Sequence, residues 1–305
     1  MKLAIGSGVA FHGVGAALYD HPEKAAGELR WWKQHGVEGI VFYDALPDFY
    51  RVPLERFKAI KAMLDDVGLP VAGFNALRKS LFMPDLADID EKRLYHCLEV
   101  TAALGGSVVD LSANVPMPIG LDPAAFSARE LFRGNYAGAE AYAATAARLK
   151  PFARACAQLG IAVSIELHDD GLQDTADNCL KLVALIDEPN VGVNPDIGNW
   201  YRVPYQQPDS WREQVVKLAP KTNLWDVKNF KKVVVPGDHR YYSWSVDLDE
   251  GDMDFREAAV ILWKAGFRGW VCNEGGNGDR VRSTLRYLSY MRWILDEWIP
   301  ASAEW

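Results

Sequence analysis

The sequence predicts an α/β protein of the (β/α)8 barrel class, a TIM barrel, forming a single domain over residues 1–305. Three observations predict it. Short β-branched runs alternate with longer helical patterns eight times in 305 residues. Several helical patterns end at a glycine just before the next strand: His35-Gly36, Val67-Gly68, Leu159-Gly160 and Ala265-Gly266. The rival, a doubly wound open sheet, loses its best support in the first turn. That turn, Gly6-Ser7-Gly8-Val9-Ala10-Phe11, lacks the third glycine of a dinucleotide fingerprint.

In chain order the expected strands are Leu3–Ser7, Val37–Tyr43, Leu69–Asn75, Ser107–Ser112, Ile161–His168, Asn190–Asp196, Thr222–Lys228 and Gly269–Glu274. The expected helices are Pro22–His35, Pro53–Val67, Ala87–Leu104, Tyr136–Leu159, Asp174–Ile186, Asp209–Leu218, Met253–Ala265 and Asp279–Glu297. Two connections read as extended loops, 113–135 after the fourth strand and 229–252 after the seventh. Both follow strand C-termini, where barrel sites are built.

Composition narrows the function. The chain is 49% hydrophobic, enough for a large core, and carries 33 basic against 41 acidic residues for a net charge of −8. An acidic balance argues against nucleic acid, because phosphate binding wants a basic face. No apolar run reaches transmembrane length, so no membrane partner is expected. The N-terminal MKLAIGSGVAFHGVGAAL is interrupted by Gly6, Gly8, His12 and Gly13, and reads as a first strand rather than a signal peptide. Cys97, Cys156, Cys179 and Cys272 are widely spaced without a CxxC pair, which points to reduced thiols and a cytoplasmic location. The 11 tryptophans and the long loops are compatible with a homo-oligomer.

The chemistry starts from residues 163–171, VSIELHDDG. A bare carboxylate inside an apolar strand costs several kcal/mol unless it is paired or bound to a metal. Strand side chains alternate, so Glu166 and His168 share a face with Ser164, against Val163, Ile165 and Leu167. By the same parity Asn194 pairs with Asp196, Asp226 with Lys228, and Glu274 with Cys272. Glu166, Asp196, Asp226 and Glu274 thus sit one per strand near four successive strand ends, and a closed barrel brings them toward one axis. Like charges converging in a low-dielectric cavity repel, and a divalent cation removes the conflict. Oxygen ligands suit Mn²⁺ or Mg²⁺ first, with Co²⁺ and Zn²⁺ as alternatives. Each acidic residue taken singly also fits a helix cap or a salt bridge, and Lys228 is placed to neutralise Asp226.

The stretches IAVSIELHDD, VGVNPDIGNWYR, TNLWDVKNF, EGDMDFREAAVILWKAGFRGWVCNE and RSTLRYL resemble the xylose isomerase-like (AP endonuclease 2-type) TIM barrels, with many sugar isomerases and epimerases. The resemblance runs over most of the chain and is strongest from Ala157 to Tyr287. It implies one divalent metal held by Glu166, Asp196, Asp226 and Glu274. Two positions depart from the family pattern. Asp226 stands where a histidine is usual, followed by Lys228-Asn229 in place of Lys-Asp, and Asn199 fills the alternative His/Asn position of the Asp196 turn. If Asp226 has left the metal, His168 is the candidate replacement; otherwise His168 contacts substrate or supports a ligand.

The implied reaction is proton abstraction next to a carbonyl, through an enediolate, on a small carbohydrate. Glu166 and Glu274 are the expected acid–base pair, with His168 and Lys228 as further catalytic candidates. Isomerisation or epimerisation is the leading outcome. A lyase or dehydratase acting on a keto-sugar, keto-inositol or 3-keto-glycoside is the alternative, and a non-catalytic sugar-binding barrel the third. A DNA-repair endonuclease is set aside, since such enzymes hold several zinc ions with many histidines and this chain has six. Substrate contacts are expected from His12, Asn75, Asn199, His239, Arg240 and Trp244, with Tyr241 and Tyr242 beside them. Arg78, Lys79, Arg202 and Arg240 are candidates for a phosphate or carboxylate on the substrate.

Overall fold

The computed structural model describes residues 1–45, 49–115, 137–204, 209–234, 237 and 241–302. Eight parallel strands form a nearly closed barrel. They are β1 (Lys2–Gly6), β2 (Gly39–Tyr43), β3 (Val71–Lys79), β4 (Val108–Ala113), β5 (Ala162–Glu166), β6 (Val191–Asn194), β7 (Leu224–Val227) and β10 (Trp270–Asn273). Their order is β6-β5-β4-β3-β2-β1-β10-β7. The remaining seam, between β7 and β6, is joined by a single parallel bridge from Val193 to Thr222. There Asn223 N–H donates to Val193 O at 3.1 Å, and the Asn223 side-chain amide donates to Val163 O at 2.8 Å. The barrel expected from the alternating pattern is the fold.

Helices fill the intervals between barrel strands. Leu54–Val67 and Ala87–Leu104 end at Gly68 and Gly105, whose φ angles of 73° and 72° lie in the left-handed region that glycine enters at no steric cost. Trp211–Leu218 opens with a reciprocal capping box between Ser210 and Glu213. The last predicted helix divides: Arg280–Trp293 is α-helical and Ile294–Trp298 widens into a π-helical turn.

Strand parity sorts the side chains into two apolar groups. Val163, Ile165 and Leu167 belong to the large core between sheet and helices, as do Leu3, Ile5, Ile40 and Phe42. Within the barrel, Ala4, Val41, Ala72 and Cys272 form a small apolar plug, flanked by Tyr43 and Trp270. The opposite half of the interior is polar. Asn75, Asp110, Ser164, Asn194 and Asp226 are all fully buried there. Small residues on one side therefore leave the carboxyl-bearing strands to define the chemistry on the other.

The 229–252 connection, expected as a loop, contains an antiparallel hairpin, β8 (Asn229–Val234) with β9 (Tyr241–Val246). Its strands, NFKKVV and YYSWSV, lie on either side of a Pro-Gly pair in the sequence. Buried Asn229 fixes its base. The Asn229 side-chain amide donates to Leu248 O at 2.7 Å and Met253 O at 2.9 Å, while its Oδ1 accepts from Phe230 N at 2.9 Å. The other long connection, 113–135, lies outside the described residues from position 116 onward.

Candidate active site

Glu166 is the last residue of β5 and Asp196 lies two residues past β6. Glu274 directly follows β10. Strand ends at one rim of the barrel thus present all three. Each supplies an oxygen within 4.8 Å of the others. A second group with the same spacing consists of Asp110, Glu166 and Asp226. The two groups share Glu166 and differ in depth. Asp110 pairs with Ser164, two residues before Glu166, and Asp226 pairs with Cys272, two residues before Glu274. The Asp110–Asp226 pair is therefore a layer below the mouth.

Hydrogen bonds fix the upper group. Asn199 Nδ2 donates to Glu166 Oε1 at 2.8 Å and to Asp196 Oδ2 at 2.9 Å. Asp196 also caps the short helix Ile197–Tyr201, its Oδ1 accepting from Gly198 N at 3.0 Å and Asn199 N at 3.2 Å. The cap reading and the site reading of Asp196 hold together, one per oxygen. Tyr43 OH donates to Glu274 Oε1 at 2.7 Å. Lys228 Nζ lies between two carboxylates, 2.6 Å from Asp196 Oδ2 and 2.7 Å from Glu274 Oε2.

The lower group is held by amides. Asn194 Nδ2 donates to Asp226 Oδ2 at 2.7 Å and to Asp110 Oδ2 at 3.2 Å; Asn75 Nδ2 donates to Asp110 Oδ2 at 3.1 Å. The other oxygens of both aspartates, Oδ1, are buried and have no hydrogen-bond partner among the described residues.

Burial and crowding split the proton affinities. Burial, reinforced by the Glu274 charge, pushes the Glu166 carboxyl well above its ordinary range. Burial and the Glu274 and Asp110 charges do the same to Asp226; burial and the Glu166 charge do so to Asp110. Burial also raises Asp196, although Lys228 opposes it. Glu274 goes the other way. Burial pushes it up, but the Lys228 ammonium and the Tyr43 hydroxyl outweigh that and hold it below the usual value. The same carboxylates overcome the desolvation of Lys228 and raise its affinity for its proton.

The remaining expected residues are distributed unevenly. His168 is buried beside the upper group. Its Nδ1 faces Asp170 Oδ1 at 2.6 Å and Asp169 Oδ1 at 3.2 Å, and its Nε2 lies 3.5 Å from Arg202 Nη2. The Asp170 backbone N–H also donates to Nδ1, at 3.4 Å. Asn199 is within the site, whereas Asn75 is in the lower layer. His12 is exposed in the turn after β1, and Trp244 is exposed on the hairpin. His239 and Arg240 lie outside the described residues. Three candidate anion contacts have acidic neighbours: Arg78 is paired with Asp170, Lys79 with Asp44 at 2.7 Å, and Arg202 with Asp169 at 2.6 Å. A cleft of about 320 Å³ opens beside Glu274 and Tyr43, lined also by Gly6, Ser7, Leu77 and Arg280.

Asp110 and Tyr43 escaped the sequence reading. The signal for Asp110 was the one that exposed Glu166, a carboxylate inside an apolar run, here SVVDLSA. Tyr43 carried no comparable signal, because an aromatic residue at a strand end is ordinary.

The oxygen donors fit a hard divalent cation. Three carboxylates meet at ligand spacing, and the Lys228 ammonium already stands in for a positive charge between two of them. The chain belongs to the xylose isomerase-like TIM barrel family, whose profile matches residues 29–294. A xylose isomerase-like TIM barrel protein from Mycobacterium smegmatis, solved in complex with magnesium, shares 20% identity at a TM-score of 0.76, over 98% of this chain and 97% of that one. The 3-keto-D-glucoside 4-epimerase of E. coli shares 16% identity at a TM-score of 0.68, over 96% of this chain and 98% of that one. Mannonate dehydratase from Streptococcus suis serotype 2 shares 15% at 0.64, over 88% and 89%. No curated protein matches the chain. Among the described residues no helix is long and apolar enough to cross a membrane.

Proposed function

We propose that the protein is a divalent-metal-dependent isomerase or epimerase of small carbohydrates, acting by proton abstraction next to a carbonyl. The observation that carries this reading is the Glu166–Glu274 pair. Two carboxyl groups meet at one point, and in the metal-free protein their surroundings push them in opposite directions, Glu166 raised and Glu274 lowered. Pairs of titratable groups pushed apart in this way supply an acid and a base at one pH. Glu274, which accepts a hydrogen bond from the Tyr43 hydroxyl, takes the proton, and Glu166 returns one. Asn199 orients Glu166 and Asp196 through a single amide. Asp169 and Asp170 hold the His168 ring beside the site.

A bound divalent ion would supply Lewis-acid polarisation of the substrate carbonyl; Glu166, Asp196 and Glu274 would hold it, with Mn²⁺ or Mg²⁺ favoured by the all-oxygen set. The relatives described as epimerase and dehydratase support carbohydrate as the substrate class. The cleft beside Glu274 gives such a molecule an approach. A lyase acting on a keto-sugar is the second reading, favoured by one feature: the Lys228 ammonium at the site is a proton donor for a leaving oxygen. One experiment tests both. The protein is incubated with Mn²⁺ in D₂O against ketoses, keto-inositols and 3-keto-glycosides. Deuterium at the carbon next to the carbonyl supports the proposal, and loss of water from the product selects the lyase. Absence of exchange from every substrate class counts against both.

A further inference from the structure

We propose that the Lys228 ammonium and a divalent cation are alternative occupants of the Glu166–Asp196–Glu274 centre, so that an entering metal expels the lysine head group into the barrel mouth. The inference rests on the metal-dependent reading above. Lys228 Nζ binds Asp196 Oδ2 at 2.6 Å and Glu274 Oε2 at 2.7 Å, and those carboxylates are two of the three that would hold the ion. A magnesium-sized ion sits about 2.1 Å from each carboxylate oxygen, which puts it within about 5 Å of an ammonium held by the same oxygens. A doubly charged ion and an ammonium cannot share that space in a buried site without strong repulsion.

The lysine's place is built into the surrounding chain. A Cβ on Gly198 would lie 2.4 Å from Lys228 Cγ, and one on Gly275 would lie 2.6 Å from Lys228 Cβ. Gly198 comes two residues after Asp196, and Gly275 directly follows Glu274. Each of the two carboxylates that bind the ammonium is thus followed by a glycine that makes room for the lysine stem. The stem is fixed close to its root, while among the described residues the head group is held by the two carboxylates a metal would claim. Released, the amine faces the mouth where substrate enters.

The test compares Mn²⁺ binding to metal-stripped wild type and Lys228→Met by calorimetry, with circular dichroism to verify folding. Removing the competing occupant should tighten binding by about tenfold or more. A second measurement needs no variant: reductive methylation of Lys228 in wild type, read by peptide mass spectrometry, should rise several-fold when Mn²⁺ saturates the site. Equal or weaker Mn²⁺ affinity in Lys228→Met, or methylation indifferent to Mn²⁺, overturns the exchange while leaving the metal reading intact. Failure of both proteins to bind Mn²⁺ overturns the metal reading and the exchange together.

Discussion

Asp226 and Asn194 are joined twice across neighbouring strands: Asn194 Nδ2 donates to Asp226 Oδ2 at 2.7 Å, and the Asp226 backbone N–H donates to Asn194 Oδ1 at 2.8 Å. This clasp holds Asp226 in the lower layer, grouped with Asp110 and Glu166, whereas Asp196 and Glu274 group with Glu166 at the mouth. An aspartate is also shorter than the histidine common at this position, which keeps its carboxyl near its own strand. The expected outcome is a contrast in Mn²⁺ affinity. Asp226→Asn should change it by about threefold or less. Asp196→Asn should weaken it by about 100-fold or more, beyond the loss typical of an outer partner. Calorimetric titration of both variants checks this, and equal losses would place Asp226 on the metal.

The acid–base pair gives a second contrast. Glu166→Gln and Glu274→Gln keep shape and hydrogen-bonding capacity but remove proton transfer. Each should lower kcat by roughly 10²–10⁴-fold while the folded state survives. Steady-state kinetics on the substrate found by exchange, with melting curves as the control, decides the matter. A variant that retains near-normal kcat is not the acid or the base.

Tyr43 offers a subtler test. Its hydroxyl donates to Glu274 and, after Lys228, is a main influence that lowers the Glu274 proton affinity. Tyr43→Phe removes that donor, so Glu274 should hold its proton to higher pH. The acidic limb of the kcat/KM profile should shift upward, by up to about one pH unit for a charge-assisted bond worth roughly 1.5 kcal/mol. An unshifted limb would show that Glu274 is not the base.

The fold was legible because barrel strands carry a strong local signature. Glu166 sits in an apolar run whose parity already states which face it takes, and the glycine at 68 ends its helix where it must. The hairpin after β7 was hidden by its polar, partly exposed strands, which pack against little and so read as loop. The site was legible as a set of strand-end carboxylates, but its two depths were not. Depth depends on barrel stagger, which sets Asp226 beside Cys272 and Asp110 beside Ser164. No single strand contains that information.

The lower layer predicts an unusual pH dependence for the metal-free protein. Burial comes first in raising Asp110, Asp226 and Glu166 above their ordinary values of 3.8, 3.8 and 4.5. Such groups hold more protons folded than unfolded, so stability falls as pH rises from the ordinary carboxylate range toward the raised folded values. Lys228, raised above its ordinary 10.5, contributes a constant amount throughout this window. Glu274, lowered below 4.5, contributes a stability already complete above that value. Neither cancels the slope. Chemical denaturation of the metal-stripped protein between pH 5 and 8 should show stability decreasing by about 1.4 kcal/mol per pH unit for each proton retained on folding. Asp110→Asn removes one such group and should flatten the curve without destabilising the protein at the upper end, because the amide is neutral at every pH. A flat wild-type curve, or an Asp110→Asn curve as steep as the wild type, would mean that Asp110 is ionised in the folded state and balanced by a charge.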